Sequence, residues 1–258
     1  MTRRLLPLKR HKIDILGVGV DDISQKEALD LILKLAQDKK SHYAVTVNSE
    51  FVMMARKNRI FADLLQKADL ALADGWWVAQ AKLTFGGKKK DKIAGVDLVK
   101  NLCYEASRKT ITVGFLGGFG GVAKRVAERQ KMSFPKLKVA FAGPGDPTIG
   151  YDSRLKMALD KAGRIDILFV AYGMGQQEFW IGRNLRKLDV GVFIGVGGAF
   201  DYISRVKRRA PEFLQNIGLE WLWRLINEPQ RIWRMRVLPV FLILVILKFL
   251  KPKISYKS

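Results

Sequence analysis

The residues best placed to do chemistry lie in two short segments, Val45-Thr46-Val47-Asn48-Ser49-Glu50 and Ala68-Asp69-Leu70-Ala71-Leu72-Ala73-Asp74-Gly75. Each is an apolar, β-prone run that ends abruptly in polar groups, and a helix-like stretch lies between them. In a β-α-β unit both polar ends fall on one edge of a parallel sheet. That edge, outside the strands' carboxyl ends, is where open α/β sheets bind ligands. Thr46, Asn48 and Glu50 alternate, so on a strand they share one face, with Asp74 at the tip of the next strand. A carboxylate held there can take a proton from an attacking hydroxyl as a general base. Asp74-Gly75 also reads as a plain turn, since both residue types favour turns for backbone reasons.

Two further segments follow strand-like runs. Val113-Gly114-Phe115-Leu116-Gly117-Gly118-Phe119-Gly120-Gly121 opens a helix, and Gly117 and Gly118 would let backbone N–H groups approach a phosphate. The spacing is not a clean G-x-G-x-x-G and no P-loop Gly-Lys-Ser/Thr is present, so a tight turn without ligand fits as well. Gln177-Glu178 comes just after the apolar run 168–172. An amide there suits sugar hydroxyls, and the glutamate suits a helix start, where negative charge meets the dipole. No Asp-x-Asp pair is present to hold a divalent metal. Asp21 and Asp22 are adjacent and read as caps for the helix that begins at Gln25. His11 and His42 lack a Cys or carboxylate cluster in sequence, so no zinc site is expected. The one cysteine, Cys103, excludes an internal disulfide and suits a reducing compartment.

These residues need a scaffold that aligns strand ends. Strand-like runs occur at 12–18, 43–47, 70–73, 111–116, 137–142, 165–171 and 190–196. Helix-like stretches at 25–37, 51–66, 95–106, 121–130, 151–162 and 178–188 alternate with them. That order predicts an α/β fold, a Rossmann-like, mostly parallel sheet with helices on both faces. A chain of 258 residues with 48% apolar residues fits one such domain with an appendage. Strand signals stop after Asp201, which divides the chain into an α/β domain over 1–201 and a helical, basic, aromatic appendage over 202–258. Asn227-Glu228-Pro229 reads as a helix break with a restart.

A net charge of +22 calls for an anionic partner: nucleic acid, acidic headgroups or a phosphorylated substrate. No zinc-finger spacing or RNP-type aromatic motif appears, so nucleic acid is not expected and a non-catalytic basic binding module lacks positive support. Residues 237–247 are apolar apart from Pro239. Arg231, Arg234 and Arg236 precede them, and Lys248, Lys251, Lys253 and Lys257 follow. The run falls well short of the roughly 20 residues that span a bilayer. It fits an interfacial anchor on an anionic leaflet, or a buried terminal helix. Arg224, Arg231 and Arg234 are cations able to neutralise a diphosphate or to meet headgroups, and the last two share a helical face. The basic segment 1–12 has no apolar run long enough for a signal peptide.

Taken in order, the motifs resemble those of the WecG/TagA/CpsF glycosyltransferases, glycosyltransferase family twenty-six. The likeness rests on Thr46-x-Asn48-x-Glu50, Ala73-Asp74-Gly75, Gly95-Val96-Asp97-Leu98, the glycine loop with Gly121-Val122-Ala123, and Gln177-Glu178. It continues through Gly195-Val196-Gly197-Gly198-Ala199-Phe200-Asp201, Arg209-Ala210-Pro211 and Gly218-Leu219-Glu220-Trp221-Leu222-Trp223-Arg224-Leu225. Departures are Lys92, where an arginine is usual and the bidentate fork is lost, Gly175-Gln176 in place of Pro-Lys, and Arg205 in place of glycine.

The resemblance implies a GT-E type fold and an inverting transfer without metal or cofactor. It implies a UDP-sugar donor and a polyprenyl-diphosphate-linked acceptor. Likeness to TagA-type members points to UDP-N-acetylmannosamine and lipid-linked N-acetylglucosamine, in teichoic acid or surface-polysaccharide synthesis. Other members transfer glucose or a uronic acid, for common antigen, capsule or exopolysaccharide. Asp74 would be the base, with Thr46, Asn48, Lys92, Gly117, Gly118, Gln177, Arg224, Arg231 and Arg234 binding substrate. A cytoplasmic enzyme, peripheral on the inner face of the cell membrane and able to form a homo-oligomer, is the expectation.

Overall fold

A computed structural model describes residues 10–89 and 91–250. The chain opens with β1 (Lys12–Ile15), β2 (Val18–Asp21), α1 (Gln25–Ala36), β3 (His42–Val47), α2 (Ser49–Lys57), α3 (Arg59–Gln66) and β4 (Leu70–Ala73). It continues with α4 (Trp76–Thr84), α5 (Gly95–Arg108), β5 (Thr112–Gly117), α6 (Val122–Ser133), β6 (Lys138–Gly143), α7 (Asp152–Asp160), β7 (Ile165–Ala171), α8 (Gln176–Asn184) and β8 (Val190–Gly195). Short helices α9 (Ala199–Ile203), α10 (Glu212–Asn216), α11 (Glu220–Asn227) and α12 (Ile232–Met235) lead to α13 (Val237–Leu250).

Six strands form one parallel sheet in the order β4-β3-β8-β7-β5-β6. Helices cover both faces, so the central strands are apolar throughout, as the fully buried β8 shows. The side-chain period of two sorts neighbouring residues into separate cores. Val45, Ala71, Leu168 and Phe193 enter one, while Ala44, Leu72, Phe169 and Ile194 enter the other. The α/β class with a parallel sheet and flanking helices is as the sequence predicts.

Three elements differ from the sequence reading. The run 12–18 is not a strand of the main sheet. Leu16 (φ 53°) and Gly17 (φ 96°) turn the chain, so β1 and β2 pair antiparallel as a hairpin. The hairpin guards the open edge of β4, where the Asp21 carboxylate accepts a hydrogen bond from Ala71 N at 2.7 Å. Capping an edge this way removes a template for unwanted pairing. Asp21 and Asp22 therefore do not cap α1. Ser24 does, in a capping box with Glu27. Asp22 accepts from Lys88 N and Lys89 N and pairs with the buried Lys82 ammonium at 3.5 Å.

The helix expected over 51–66 breaks at Asn58 (φ −130°, ψ 105°), which ends α2 and caps α3 by accepting from Phe61 N at 3.0 Å. An asparagine amide offers the backbone this alternative to helix continuation. The helix α4 lies where the sequence showed only a turn at Gly75, because its burial follows no clear amphipathic stripe.

The chain beyond Asp201 packs on the sheet domain, and the boundary drawn there falls inside α9. Phe200 and Ile203 belong to one core, and Leu238, Phe241 and Val245 of α13 to the other. α13 lies along α2, with Val237, Leu242 and Leu244 half-buried against the core and Val240, Ile243, Ile246, Leu247, Phe249 and Leu250 exposed. Among the described residues no helix is long and apolar enough to cross a membrane. Lys251, Lys253 and Lys257 of the expected basic flank, and most of the basic segment 1–12, lie outside the described residues.

Candidate active site

Four neighbouring strands, β4, β3, β8 and β7, end at one level and open a cleft. Val47 pairs with Ala73, Val45 with Gly195, and Gly195 with Val170, so the four tips are in register. Asp74 N donates to Val47 O at 2.8 Å, which extends the β3–β4 ladder by one step and sets Asp74 beside Asn48. The cleft is open to solvent, and its empty space is about 740 Å³. Asp74, Arg209, Arg224, Arg231 and Arg234 line it, and the loop glycines Gly173, Gly197 and Gly198 form its rim.

Most of the predicted site residues meet here. Thr46, buried, donates Oγ1 to Gly195 O at 3.0 Å and so ties β3 to β8. Asn48 caps α2, its Oδ1 accepting from Glu50 N and Phe51 N at 2.9 and 3.2 Å, which leaves Nδ2 as the group available to a ligand. Gln177 accepts from Gly197 N at 2.9 Å and donates to Glu178 Oε1 at 2.7 Å. It braces the rim loop from within the protein. Gly195 is needed beside it, because a Cβ there would lie 2.7 Å from both the Gln177 amide nitrogen and a Glu178 oxygen.

Three predicted residues lie elsewhere. Gly117 ends β5, one strand beyond β7, and Gly118 follows it; neither lines the cleft. Gly117 (φ 113°) is held to glycine by a close approach, since a Cβ would stand 2.6 Å from Ala171 O. Lys92 donates to Gln215 O at 2.8 Å and lines a separate open depression with Trp76 and Asn216. It tethers α10 to the loop before α5.

Each cleft arginine is paired with a carboxylate of the chain. Arg209 grips Asp97 with two bonds of 2.5 and 2.6 Å. Arg224 bonds Glu220 one turn away. Arg231 Nε lies 2.9 Å from Glu228, which also takes Lys207 at 2.8 Å. Arg234 crosses to Glu50 at 2.7 Å. Arg224 also lies over the Tyr202 ring, 5.2 Å from its centroid. Among the described residues the buried Arg224 Nε and Tyr202 hydroxyl have no hydrogen-bond partner. Both stand at the cleft, ready for a ligand rich in acceptors.

Burial pushes the Asp74 carboxyl up to about 7, against the pull of Arg224 and Arg209. A group poised there alternates between base and acid near neutrality. Burial works against the Arg224 charge, but Glu220, Tyr202 and Asp74 hold the guanidinium above its ordinary value. Burial likewise raises Glu178 to about 7, opposed by its bonds from Gln177 and Gly175. Glu178 accepts from Gly175 N at 2.7 Å and fastens the loop after β7.

The sequence reading left Arg209, Tyr202 and Glu220 out of the site. The signal available for Arg209 was a pair of oppositely charged motif residues, Asp97 and Arg209. Nothing local announced Tyr202. His42, around which the sequence showed no carboxylate cluster, bonds Asp38 and Asp69 at 3.0 and 3.2 Å at the opposite end of β3. Those bonds, chiefly the one from Asp69, raise its pKa.

Comparison with known proteins gives the same direction. The model of the "Glycosyl transferase WecG/TagA/CpsF family" matches residues 13–255. The chain is 34% identical over 209 residues to a protein of Bacillus spizizenii named N-acetylglucosaminyldiphosphoundecaprenol N-acetyl-beta-D-mannosaminyltransferase, covering 80% of this chain and 79% of the relative. A Bacillus subtilis protein of the same name is 32% identical, with 78% and 77% covered. A Staphylococcus aureus relative, also so named, is 25% identical over 90% of this chain and 91% of its own length.

Proposed function

The chain belongs to the WecG/TagA/CpsF family of glycosyl transferases, and from that premise we propose that it moves N-acetylmannosamine from its UDP derivative to undecaprenyl-diphosphate-linked N-acetylglucosamine. The observation that carries this reading is the Asp74 carboxylate sharing one cleft with four arginines, where the Arg224 Nε and the Tyr202 hydroxyl beside it are unpartnered among the described residues. Asp74 accepts the proton of the acceptor hydroxyl while that oxygen attacks the anomeric carbon. The bond to the donor phosphate breaks on the opposite face, and its electron pair leaves with UDP. Arg224, Arg231 and Arg234 meet the charge that builds on the diphosphate, as preorganised donors do. Asn48 Nδ2 and the Gly197 and Gly198 backbone supply neutral contacts to the sugar, while Thr46 and Gln177 hold the strands and rim that present them.

The enzyme works at an anionic membrane surface in this reading. Residues 237–250 present Ile243 and Leu250, 56% and 68% exposed, on the side of α13 facing away from α2. Trp233 is 67% exposed nearby, with Arg236 over its ring. Apolar side chains beside cations fit an interfacial contact with acidic lipid, which supports a peripheral position on a cytoplasmic face.

The test is a panel of UDP-hexoses, UDP-hexosamines and UDP-uronic acids against a water-soluble, short-chain diphosphate-linked N-acetylglucosamine, with and without divalent cation. Transfer from UDP-N-acetylmannosamine alone supports the reading. Transfer from glucose or a uronic acid reassigns the donor, and UDP binding without any transfer overturns the assignment.

A further inference from the structure

A second chamber meets the arginine cleft at Asp74. It has a volume of about 620 Å³ and shares Asp74, Asn48, Glu50, Glu220 and Arg224 with the cleft. Its character is different. Trp76, Trp77 and Trp221 form its walls, and Arg209, Arg231 and Arg234 stand outside it. Asp74 and Arg224 therefore stand where a cleft with three further arginines meets an aromatic chamber.

The aromatic wall is built rather than incidental. Trp76 and Trp77 meet edge to face, with centroids 4.5 Å apart and planes at 82°. Gly218 (φ 79°) lies so close to the Trp76 ring that a Cβ would stand 2.7 Å from it. The ring is clamped between its neighbour and the backbone before α11. Trp77 and Trp221 pack partly on the core. Among the described residues, their buried indole N–H groups have no hydrogen-bond partner.

We propose that this chamber is the acceptor-sugar subsite, where the tryptophans hold the pyranose whose hydroxyl faces Asp74. The inference rests on the transferase reading above and deepens it. A base must touch the attacking hydroxyl, and in an inverting displacement the attacking group approaches opposite the departing diphosphate. With the diphosphate on the arginine side of Asp74, the acceptor occupies the other side, which is the tryptophan chamber. An alkyl chain fits less well. It offers no acceptor to the two indole N–H groups, and a buried donor left unmade is costly. A hydroxyl-bearing and N-acetyl-bearing ring offers both acceptors and an apolar C–H face for the indoles.

Three variants test this by binding and by turnover: Trp76→Ala, Trp76→Phe and Trp221→Phe. Affinity for UDP is measured first, then affinity of the UDP-loaded protein for a short-chain diphosphate-linked N-acetylglucosamine, then KM for each substrate. Trp76→Ala is expected to weaken acceptor binding about two- to tenfold, the worth of one aromatic contact. Trp76→Phe should recover most of the loss and confirm that folding is intact. Trp221→Phe, which keeps a ring but removes an N–H, should weaken the acceptor severalfold. UDP affinity should stay within a factor of two throughout. Unchanged acceptor affinity overturns the proposal, as does a matching fall in UDP affinity. A loss seen only with long-chain acceptors would assign the chamber to lipid instead. A parent protein that binds UDP yet transfers nothing counts against the transferase reading. The subsite stands or falls separately, on whether the variants alter binding of the soluble acceptor.

Discussion

Arg234 of α12 reaches over the cleft to Glu50 in the first turn of α2, its Nε and Nη2 donating to one Glu50 oxygen at 2.9 and 2.7 Å. The two residues are 184 positions apart. The contact closes the C-terminal helices against the sheet domain at the cleft where the diphosphate is proposed to bind. An exposed pair of this kind is worth about 0–1 kcal/mol, so an incoming diphosphate can draw Arg234 away from Glu50.

Glu50→Gln is therefore expected to tighten UDP binding two- to fivefold, about 1 kcal/mol at most. The gain should shrink in high salt, because it comes from removing a competing charge at a screened site. Calorimetric titration at two ionic strengths measures it. Weaker binding would mean that Glu50 aims Arg234 rather than competing for it.

Asp74→Asn should retain UDP binding and lose about 10²–10⁴-fold in turnover, the usual worth of a positioned base. Only the ionised carboxylate can accept the proton. Since Asp74 is pushed up to about 7, kcat/KM of the parent should rise with pH through that region and level off above it. The variant's residual rate should lack this rise. A parent profile flat from pH 5 to 9 would remove Asp74 from the role of base.

Arg224→Ala should act on the same profile. Arg224 opposes the rise in the Asp74 pKa, so its loss should move the ascending limb to higher pH as well as lower the maximal rate. Arg224→Lys keeps the charge but not the fork, and should restore the limb more fully than the rate. A limb that stays in place with Arg224→Ala would mean the two groups do not sense one another.

The strand ends were legible in the sequence because each buried run stops at a polar residue, as Val47 does before Asn48 and Ala73 before Asp74. What alternation does not encode is strand order. Placing β8 between β3 and β7 brings Gly197 and Gln177 to Asp74 and leaves Gly117 and Gly118 a strand away. A glycine loop at a strand tip reads alike in either place. The Asp97–Arg209 pair spans 112 positions, so two ordinary charges became one rigid unit only in three dimensions. The turn at Leu16 was hidden because a leucine with positive φ carries no composition signal.

Glu178 supplies a stability test separate from catalysis. Its carboxyl is raised from the ordinary 4.5 to about 7 by burial, so between those values the folded protein holds a proton that the unfolded chain has released. Its contribution to stability is complete below about 4.5 and is lost as pH rises through 7. Glu178→Gln cannot ionise. Its stability relative to the parent should therefore improve by about 3 kcal/mol at most from pH 4.5 to 8. A pH-independent penalty for the changed bonds to Gly175 and Gln177 adds to this. Urea unfolding at several pH values isolates the difference, because Asp74 titrates in both proteins. A constant difference would mean Glu178 ionises normally.

The last helix has two faces, and they should separate by mutation. Deleting residues 237–258 is a poor probe of membrane binding, because it strips Leu238, Phe241 and Val245 from the core. Losing Phe241 alone, as Phe241→Ala, should cost about 3–5 kcal/mol. The outward residues carry no such burden. Ile243→Asp combined with Ile246→Asp, both 56% exposed, should leave thermal unfolding and transfer to a soluble acceptor close to the parent. The same pair should abolish sedimentation with anionic vesicles, since apolar insertion and headgroup attraction are each marginal alone. Co-sedimentation with anionic and with zwitterionic vesicles reads the result directly. Undiminished binding by the double variant would show that the basic residues hold the protein to the surface without α13.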